Sequence, residues 1–274
     1  MGINKTTKIL SPAKINLMLR ILGQRKDGYH LLQTYFQLLN WGDIMQFQTT
    51  QVDKIKRTGQ FDGLPQESNL IYKATQLLIP HRKQDKGIHI AVEKNIPQGS
   101  GLGGGSSNAG VTLRILNKLW ECHLSQQQLQ NMAVQLGADV PVFVLNQSAI
   151  ASGIGEQLKP HKLTHHYFVL IFPKTSISTA EVFSHKDLVR NQKEISPQQI
   201  QQKEYWTNSC LPVVLKNFPE LAEKYHIATK IAPVYMSGTG STLFCCFDFE
   251  HEARQFIELC PSDWNTQICQ DELN

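Results

Sequence analysis

The chain has 274 residues, of which 41% are hydrophobic and 18% charged, so it is long enough to bury a sizeable core in one large or two small domains. The formal net charge is only +4 and the basic residues form no dense stripe, which argues against a nucleic-acid-binding surface and suits an enzyme with anionic ligands. No apolar run approaches the length of a membrane span and no signal peptide opens the sequence, so we expect a cytoplasmic protein with no membrane partner.

Strand and helix signals alternate along the first half of the chain. Apolar residues at every second position predict strands, whereas apolar residues at helical spacing predict helices. Ser68 is placed to cap the first helix, and Ser125 with Gln128 has the sequence of a capping box. In chain order, we predict strands at 15–22, 31–39 and 44–49, a short strand with loops at 50–66, a helix at 69–78, a strand at 87–93, helices at 109–120 and 126–136, and strands at 148–152 and around 157.

The second half begins near Lys159 and continues the mixed pattern. Ser178 is placed to cap a short helix, and the glutamine-rich stretch 189–204 predicts a mobile loop. The elements predicted here are a strand at 167–172, helices at 178–183, 208–216 and 219–226, strands at 234–236 and 243–247, a helix at 250–259 and a strand at 264–269. The sequence therefore predicts an α+β chain, with domains at 1–158 and 159–274.

A glycine-rich segment stands between the predicted strand at 87–93 and the helix that follows it. Five glycines fall within seven residues, and glycine costs backbone entropy on ordering, so the cluster needs a reason. In such a loop the backbone N–H groups approach an anion closely, and the helix N-terminus adds positive potential. We interpret the segment as a phosphate cradle, the alternative being a flexible turn. Its residues are Pro97, Gln98, Gly99, Ser100, Gly101, Leu102, Gly103, Gly104, Gly105, Ser106 and Ser107.

Two common phosphate-binding loops do not fit this segment. A P-loop has a lysine directly after its last glycine, whereas Ser106 follows Gly105 and the next lysine is Lys118. The pattern G-x-G-x-x-G is present, but the first glycine does not directly follow the strand and no buried strand follows the helix. A dinucleotide-dependent oxidoreductase is therefore the weakest interpretation.

For several other residues the sequence allows both a structural and a functional interpretation. Lys14 is a lysine at a strand edge, and Asp139 follows a helix end, where it can cap the next turn. Tyr29 and His30 follow a glycine turn, where side chains can face a ligand or can pack half-buried. The six cysteines and ten histidines show no metal-site spacing, so we expect reduced thiols and no metal held by protein side chains alone.

Three segments, in this order along the chain, resemble the three motifs of the GHMP kinases, a family that phosphorylates small metabolites with ATP. They are Ser11–Leu17, Pro97–Ser107 and Ser237–Ser241. Together they span nearly the whole chain, which makes the resemblance specific. Two further segments, Gly23–His30 and Leu136–Pro141, are similar to those of family members whose acceptor carries a cytidine diphosphate.

The resemblance implies the two-domain α+β fold of these kinases. The N-terminal domain would bind the nucleotide, and the C-terminal domain, on the substrate side, would contain a four-stranded antiparallel sheet with helices on one face. The implied activity is phosphoryl transfer from ATP, bound with Mg²⁺, to a hydroxyl group of the cytidyl acceptor. It implies no nucleic-acid partner, and the oligomeric state is not indicated.

The resemblance also implies roles for individual residues. Asp139 would be the catalytic base, and Lys14 beside it would keep the carboxylate charged. Phosphate oxygens would hold the magnesium ion, with Ser106 or Ser107 as a protein contact. Asn69 and Leu70 would contact the adenine. Tyr29 and Phe183 would contact the two faces of the cytosine ring, and His30 would contact its edge. The hydroxyls or diphosphate of the acceptor would be contacted by Asn16, Lys94 and Thr179.

Two other functions stay open at this point. One is a different small-metabolite kinase of the same family, acting on homoserine or mevalonate, against which Asp27–His30 argues. The other is a nucleotide-binding regulator without turnover, against which the presence of both Lys14 and Asp139 argues.

Overall fold

The computed structural model describes residues 6–59, 65–83, 86–163 and 165–271, which divide into two compact units. Unit 1 contains the residues up to Ala13, Trp41–Gln98 and Gly103–Asn146. Unit 2 contains Lys14–Asn40, Gly99–Leu102 and the chain from Gln147 onward. Each unit has its own hydrophobic core. The expected domain boundary near residue 158 stays a prediction.

Two long strands contribute residues to both units. In unit 1, the second half of β2 pairs antiparallel with β4, and β3 pairs parallel with β4. In unit 2, the first half of β2 pairs antiparallel with β5, which pairs with β6. The bounds are β1 (Thr6–Gln24), β2 (His30–Thr50), β3 (Ile55–Gly59), β4 (Gly87–Glu93), β5 (Ala149–Ser152) and β6 (Gln157–Pro160).

Unit 2 also contains a separate four-stranded sheet. Its strand order is β10-β7-β9-β8, and every neighbouring pair is antiparallel, which confirms the sheet expected for the second half of the chain. The strands are β7 (Tyr167–Phe172), β8 (Tyr235–Met236), β9 (Leu243–Phe247) and β10 (Asn265–Gln270).

Most of the helices begin and end close to where capping residues and apolar spacing predict. Ser125 and Gln128 form the predicted capping box, and Ser178 caps a short helix by accepting from Glu181 N–H. In unit 1 the helices are α1 (Leu70–Leu78), α2 (Gly104–Leu119), α3 (Gln126–Leu136) and α4 (Val140–Leu145). In unit 2 they are α5 (Thr179–Ser184), α6 (Pro197–Ile200), α7 (Leu211–Asn217), α8 (Pro219–Ala228) and α9 (Glu250–Leu259). The sequence does not predict α4 or α6.

The break predicted between strands at 31–39 and 44–49 is wrong, because β2 is continuous through Gly42. A Cβ atom at Gly42 would lie 2.1 Å from the carbonyl oxygen of Ser11 and 2.9 Å from the backbone nitrogen of Ala13. The glycine is therefore required by the close approach of β1 rather than by a turn.

Two further predictions need correction. The cap of α1 is Asn69, whose side chain accepts from Ile71 N–H, because Ser68 belongs to a preceding 3₁₀ turn. The stretch 189–204 is not wholly a loop, since Ser196 opens α6 with a capping box and Ile200 is fully buried. Burial of a few apolar side chains thus orders a segment whose composition is mostly polar.

Helices α2 and α4 approach each other closely at Gly110. A Cβ atom there would lie 2.6 Å from Phe143 Cβ and 3.2 Å from the carbonyl oxygen of Val140. This contact fixes α2, which follows the glycine-rich segment, against α4, which follows Asp139.

We expect Gly110→Ala to lower the free energy of unfolding by about 1–3 kcal/mol, because the added methyl group overpacks this contact. The sign of this change in the free energy of unfolding is informative, because replacing glycine by alanine within a helix otherwise stabilises by about 1 kcal/mol. Urea unfolding measures the change. Gly105→Ala is the matched control, because its Cβ would have Leu70 Cδ1 as nearest neighbour, at 3.8 Å. Equal stability of the two variants would contradict the packing argument.

Candidate active site

Residues from all three motifs meet in unit 2 around the carbonyl oxygen of Gly101. The Lys14 ammonium donates to this oxygen at 2.9 Å and to Asn16 Oδ1 at 2.5 Å. Ser237 Oγ donates to the same carbonyl oxygen at 3.0 Å and accepts from Asn16 N–H at 3.2 Å. Lys14 is therefore a buried cation in a fixed place, not a lysine at a solvated strand edge.

The backbone of the glycine-rich segment is held tightly at Gly101. Its φ is +76°, and a Cβ atom would lie 2.6 Å from Ser237 O and 2.7 Å from Gly240 O. The neighbouring carbonyls are anchored as well, since Leu102 O accepts from Lys14 N–H and Ser100 O from Thr242 N–H. The segment is thus a fixed loop, which argues against the flexible-turn interpretation.

The N-terminus of α2 has the properties of an anion site. Gly103 is its N-cap, in the left-handed conformation with φ of +72°, and no side chain caps the first turn. The first N–H groups of a helix have no intrahelical partner and carry positive potential. Gly105 is exposed and its Cβ position is open. A phosphate group can therefore reach the backbone of the first turn.

A buried carboxylate fixes the chain just before this loop in unit 1. Asp43 is fully buried and accepts hydrogen bonds from Asn95 N–H at 2.8 Å and Ile96 N–H at 2.9 Å. It also forms an ion pair with Lys94 and accepts from Asn108 Nδ2 at 3.0 Å. Sequence reasoning missed Asp43, because an isolated aspartate between apolar residues carries no motif.

The two candidate magnesium-contacting serines differ in their surroundings. Ser107 is fully buried and its Oγ lies 2.8 Å from Ser11 Oγ, which also accepts from Asn108 Nδ2 at 2.8 Å. Ser106 is half-buried in the first turn of α2. The Ser107 hydroxyl is thus used in a hydrogen bond in the protein interior. Ser106 is therefore the better candidate of the two for contact with a magnesium ion.

Three other predicted site residues lie near the first turn of α2 or α4. Lys94 Nζ lies 3.4 Å from the position of a Cβ atom at Gly104, and Leu70 lies beside Gly105. Asp139 occupies the N-cap position of α4, yet its side chain makes no capping hydrogen bond. Capping therefore does not explain this carboxylate. Its approach to Lys14 stays a prediction.

A second group of predicted residues meets elsewhere in unit 2. The rings of His30 and Phe183 lie 5.1 Å apart. Tyr29, which precedes His30 in the sequence, is 60% exposed. Arg190 Nε donates to His30 Nε2 at 3.0 Å. Burial, and then the Arg190 charge, lower the pKa of His30, so its imidazole is neutral at neutral pH. Thr179 Oγ1 lies 3.0 Å from Thr239 Oγ1.

Among the described residues, no three or more histidine, cysteine, aspartate or glutamate side chains are grouped to hold a metal ion. Within the same residues, no helix combines the length and apolar character needed to cross a bilayer.

Comparison with known proteins finds relatives in the family that the three motif segments resemble. Residues 69–147 match the model of the GHMP kinases N-terminal domain. The chain is 42% identical to the 4-diphosphocytidyl-2-C-methyl-D-erythritol kinase of Psychromonas ingrahamii over 271 residues, covering 99% of this chain and 95% of that protein.

Solved structures show the same fold. A crystal structure of 4-(cytidine 5'-diphospho)-2C-methyl-D-erythritol kinase has a TM-score of 0.84 and 30% identity, and the match covers 97% of this chain and all of that one. Homoserine kinase from Cytophaga hutchinsonii has a TM-score of 0.68 at 15% identity over 100% of this chain and 96% of that one, which shows likeness of fold alone.

We expect Gly105→Ala to raise the Kd for ATP by about tenfold or more, the equivalent of one hydrogen bond to a charged group, because its methyl group would cover the exposed first turn of α2. Isothermal titration calorimetry measures the change, and the unfolding midpoint without nucleotide should not fall below that of the unchanged protein. An unaltered Kd would place the phosphates away from this turn.

Proposed function

The chain belongs to the 4-diphosphocytidyl-2-C-methyl-D-erythritol kinase family, and from this premise we propose that it transfers the γ-phosphoryl group of ATP to the 2-hydroxyl group of 4-diphosphocytidyl-2-C-methyl-D-erythritol. This reaction belongs to the non-mevalonate route to isoprenoid precursors, for which we propose a cytoplasmic location. The observation that carries the proposal is 42% identity over nearly all of a relative of that name. The convergence of the three motif segments on Gly101 supports it.

The α2 N-terminus and the glycine-rich segment would hold the triphosphate. The amide groups of the first turn are unused by side-chain caps, and a helix N-terminus carries positive potential. Phosphoryl transfer depends chiefly on positioning and on neutralising charge, and these two features would contribute to both. Mg²⁺ would neutralise further phosphate charge when bound with ATP, and Ser106 is the protein hydroxyl placed to contact it or its water shell. Asn69 and Leu70, at the start of α1, would border the adenine.

Removal of a proton from the acceptor hydroxyl would fall to Asp139. A carboxylate at a helix N-cap is usually occupied in capping, and this one is not. Lys14 would stabilise the developing negative charge on the acceptor oxygen. Its ammonium is held by Asn16 Oδ1 and Gly101 O, so it needs no reorganisation during the reaction.

The cytidine part of the acceptor would be bound by the aromatic group in unit 2. Tyr29 and Phe183 would stack on the two faces of the cytosine ring, and stacking contributes about 1–3 kcal/mol per base. His30 would hydrogen-bond the edge of the base. Asn16, Lys94 and Thr179 would contact the hydroxyls or the diphosphate, as the resemblance implies.

The experiment that tests the proposal is a coupled assay of ADP release with three acceptors in parallel. We expect turnover with the cytidyl substrate and none above background with homoserine or mevalonate. Turnover with homoserine or mevalonate instead would overturn the proposed substrate while leaving kinase activity in place.

We expect Asp139→Asn to lower kcat by roughly 10²–10⁴-fold, because asparagine keeps the size but loses the basicity of the side chain. The Kd for ATP and the unfolding midpoint should stay near those of the unchanged enzyme. Lys14→Met should also lower kcat, and the double variant should lose less than the product of the two effects, since both residues act on one proton transfer. A near-normal kcat for Asp139→Asn would show that Asp139 is not the base.

A further inference from the structure

Arg190 forms hydrogen bonds with residues proposed to bind the acceptor base, although no sequence signal points to it. Its guanidinium donates to the carbonyl oxygens of Phe183 at 2.9 Å, His185 at 3.0 Å and Leu188 at 3.0 Å. Its Nε donates to His30 Nε2 at 3.0 Å. One planar group thus holds both the end of α5, which carries Phe183, and the imidazole of His30.

The contact with Arg190 decides which nitrogen of His30 carries the proton. A guanidinium has donors only and stays charged, so His30 Nε2 must present its lone pair. The proton of the neutral ring is then on Nδ1, because the hydrogen bond made by one ring nitrogen sets the state of the other. His30 Nδ1 has no hydrogen-bond partner among the residues that the structure describes. The ring therefore offers an N–H donor, not an acceptor.

A fixed donor distinguishes two pyrimidines of the same shape. N3 of cytosine is an acceptor, whereas N3 of uracil carries a hydrogen and is a donor. An N–H group facing the edge of the base pairs with the first and opposes the second. A ligand that leaves buried polar groups of the site unpaired is rejected more strongly than a ligand that only fails to make one further contact.

We propose that Arg190 is a positioning residue that fixes His30 as a hydrogen-bond donor and thereby makes the site select cytidyl over uridyl acceptors. The inference rests on the proposed function, because it takes the acceptor base to bind at His30 and Phe183. Lysine cannot replace this arginine, since three carbonyl oxygens and one imidazole nitrogen require the fork of donors that only a guanidinium has.

Burial lowers the pKa of His30 most, and the charge of Arg190 lowers it further. The carboxylates nearest to the pair along the chain are engaged elsewhere, Asp27 with Arg25 at 2.8 Å and Asp187 with Lys216 at 2.5 Å. Without Arg190 the pKa of His30 would rise toward its ordinary value, and the neutral ring could carry its proton on either nitrogen. A protonated ring, by contrast, donates from both nitrogens.

The test compares Arg190→Gln with the unchanged enzyme and with a matched control, Arg20→Gln. Arg20 is also a half-buried arginine that contacts the same stretch of chain, since it donates to Lys193 O and Thr207 Oγ1 at 2.9 Å each, but it forms no hydrogen bond with His30. For each protein, kcat/KM is measured with the cytidyl substrate and with its uridyl analogue between pH 5.5 and 8. Nitrogen-15 NMR of the His30 imidazole reports the proton position independently of activity.

We expect the unchanged enzyme to prefer the cytidyl substrate by about 10- to 100-fold, the cost of a donor that a bound uracil would cover and leave unpaired. In Arg190→Gln this preference should fall about three- to tenfold at pH 7.5, through a higher KM with little change in kcat, and the His30 proton should no longer be confined to Nδ1. The preference should recover as the pH is lowered and the ring becomes protonated, because a protonated imidazole donates from both nitrogens. Arg20→Gln should keep the preference at every pH.

The proposal is overturned if Arg190→Gln keeps the full preference, if both arginine variants lose it equally, or if acid does not restore it. It is also overturned if the unchanged enzyme uses both acceptors equally well. Absence of turnover with any cytidyl substrate would instead contradict the proposed function itself, while the NMR measurement on the same samples still tests the action of Arg190 on His30.

Discussion

The close approach of backbone at Gly101 is the constraint on which the arrangement of the three motif segments in unit 2 depends. The absence of a side chain lets its carbonyl oxygen accept from both Lys14 and Ser237 while the carbonyls of Ser237 and Gly240 pack against its α-carbon. A buried ammonium is costly unless it is well hydrogen-bonded, and the Gly101 and Asn16 oxygens provide that compensation. The same atoms thus fix the loop and orient the cation.

A second buried charge has the corresponding role in unit 1. The Asp43 carboxylate receives hydrogen bonds from two backbone N–H groups, from Asn108 and from Lys94. A carboxylate that accepts several donors is stable in a low-dielectric interior only while all of them stay in place, so the network defines one arrangement of the chain that enters the glycine-rich segment. The first turn of α2 then presents N–H groups that no side chain caps, which is the preorganisation that the proposed phosphoryl transfer would require.

In the proposed site, recognition of the acceptor base would follow a different physical rule from recognition of phosphate. Phosphate binding by backbone dipoles and a positive charge would favour any polyphosphate. Base recognition needs a group whose donor or acceptor character is fixed, and neutral histidine has both characters until a neighbour removes one. The Arg190 contact removes the acceptor at His30 Nε2, so a side chain with no chemistry of its own toward the substrate can decide what the site distinguishes.

The sequence by itself determined the fold class, most strand and helix positions and the three motifs, because periodicity, caps and glycine clusters are local signals. It predicted the Ser125 capping box and α9 but divided β2 at Gly42, since a glycine required by a distant strand looks the same as one required by a turn. Only the tertiary structure decided that Lys14, Gly101 and Ser237 share one hydrogen-bonded group and that Ser107 faces the interior. It alone also showed that Asp43 and Arg190 belong to the hydrogen-bond networks around the candidate site. These residues are far apart along the chain, and the contacts that give them a role exist only after burial brings their partners within hydrogen-bonding distance.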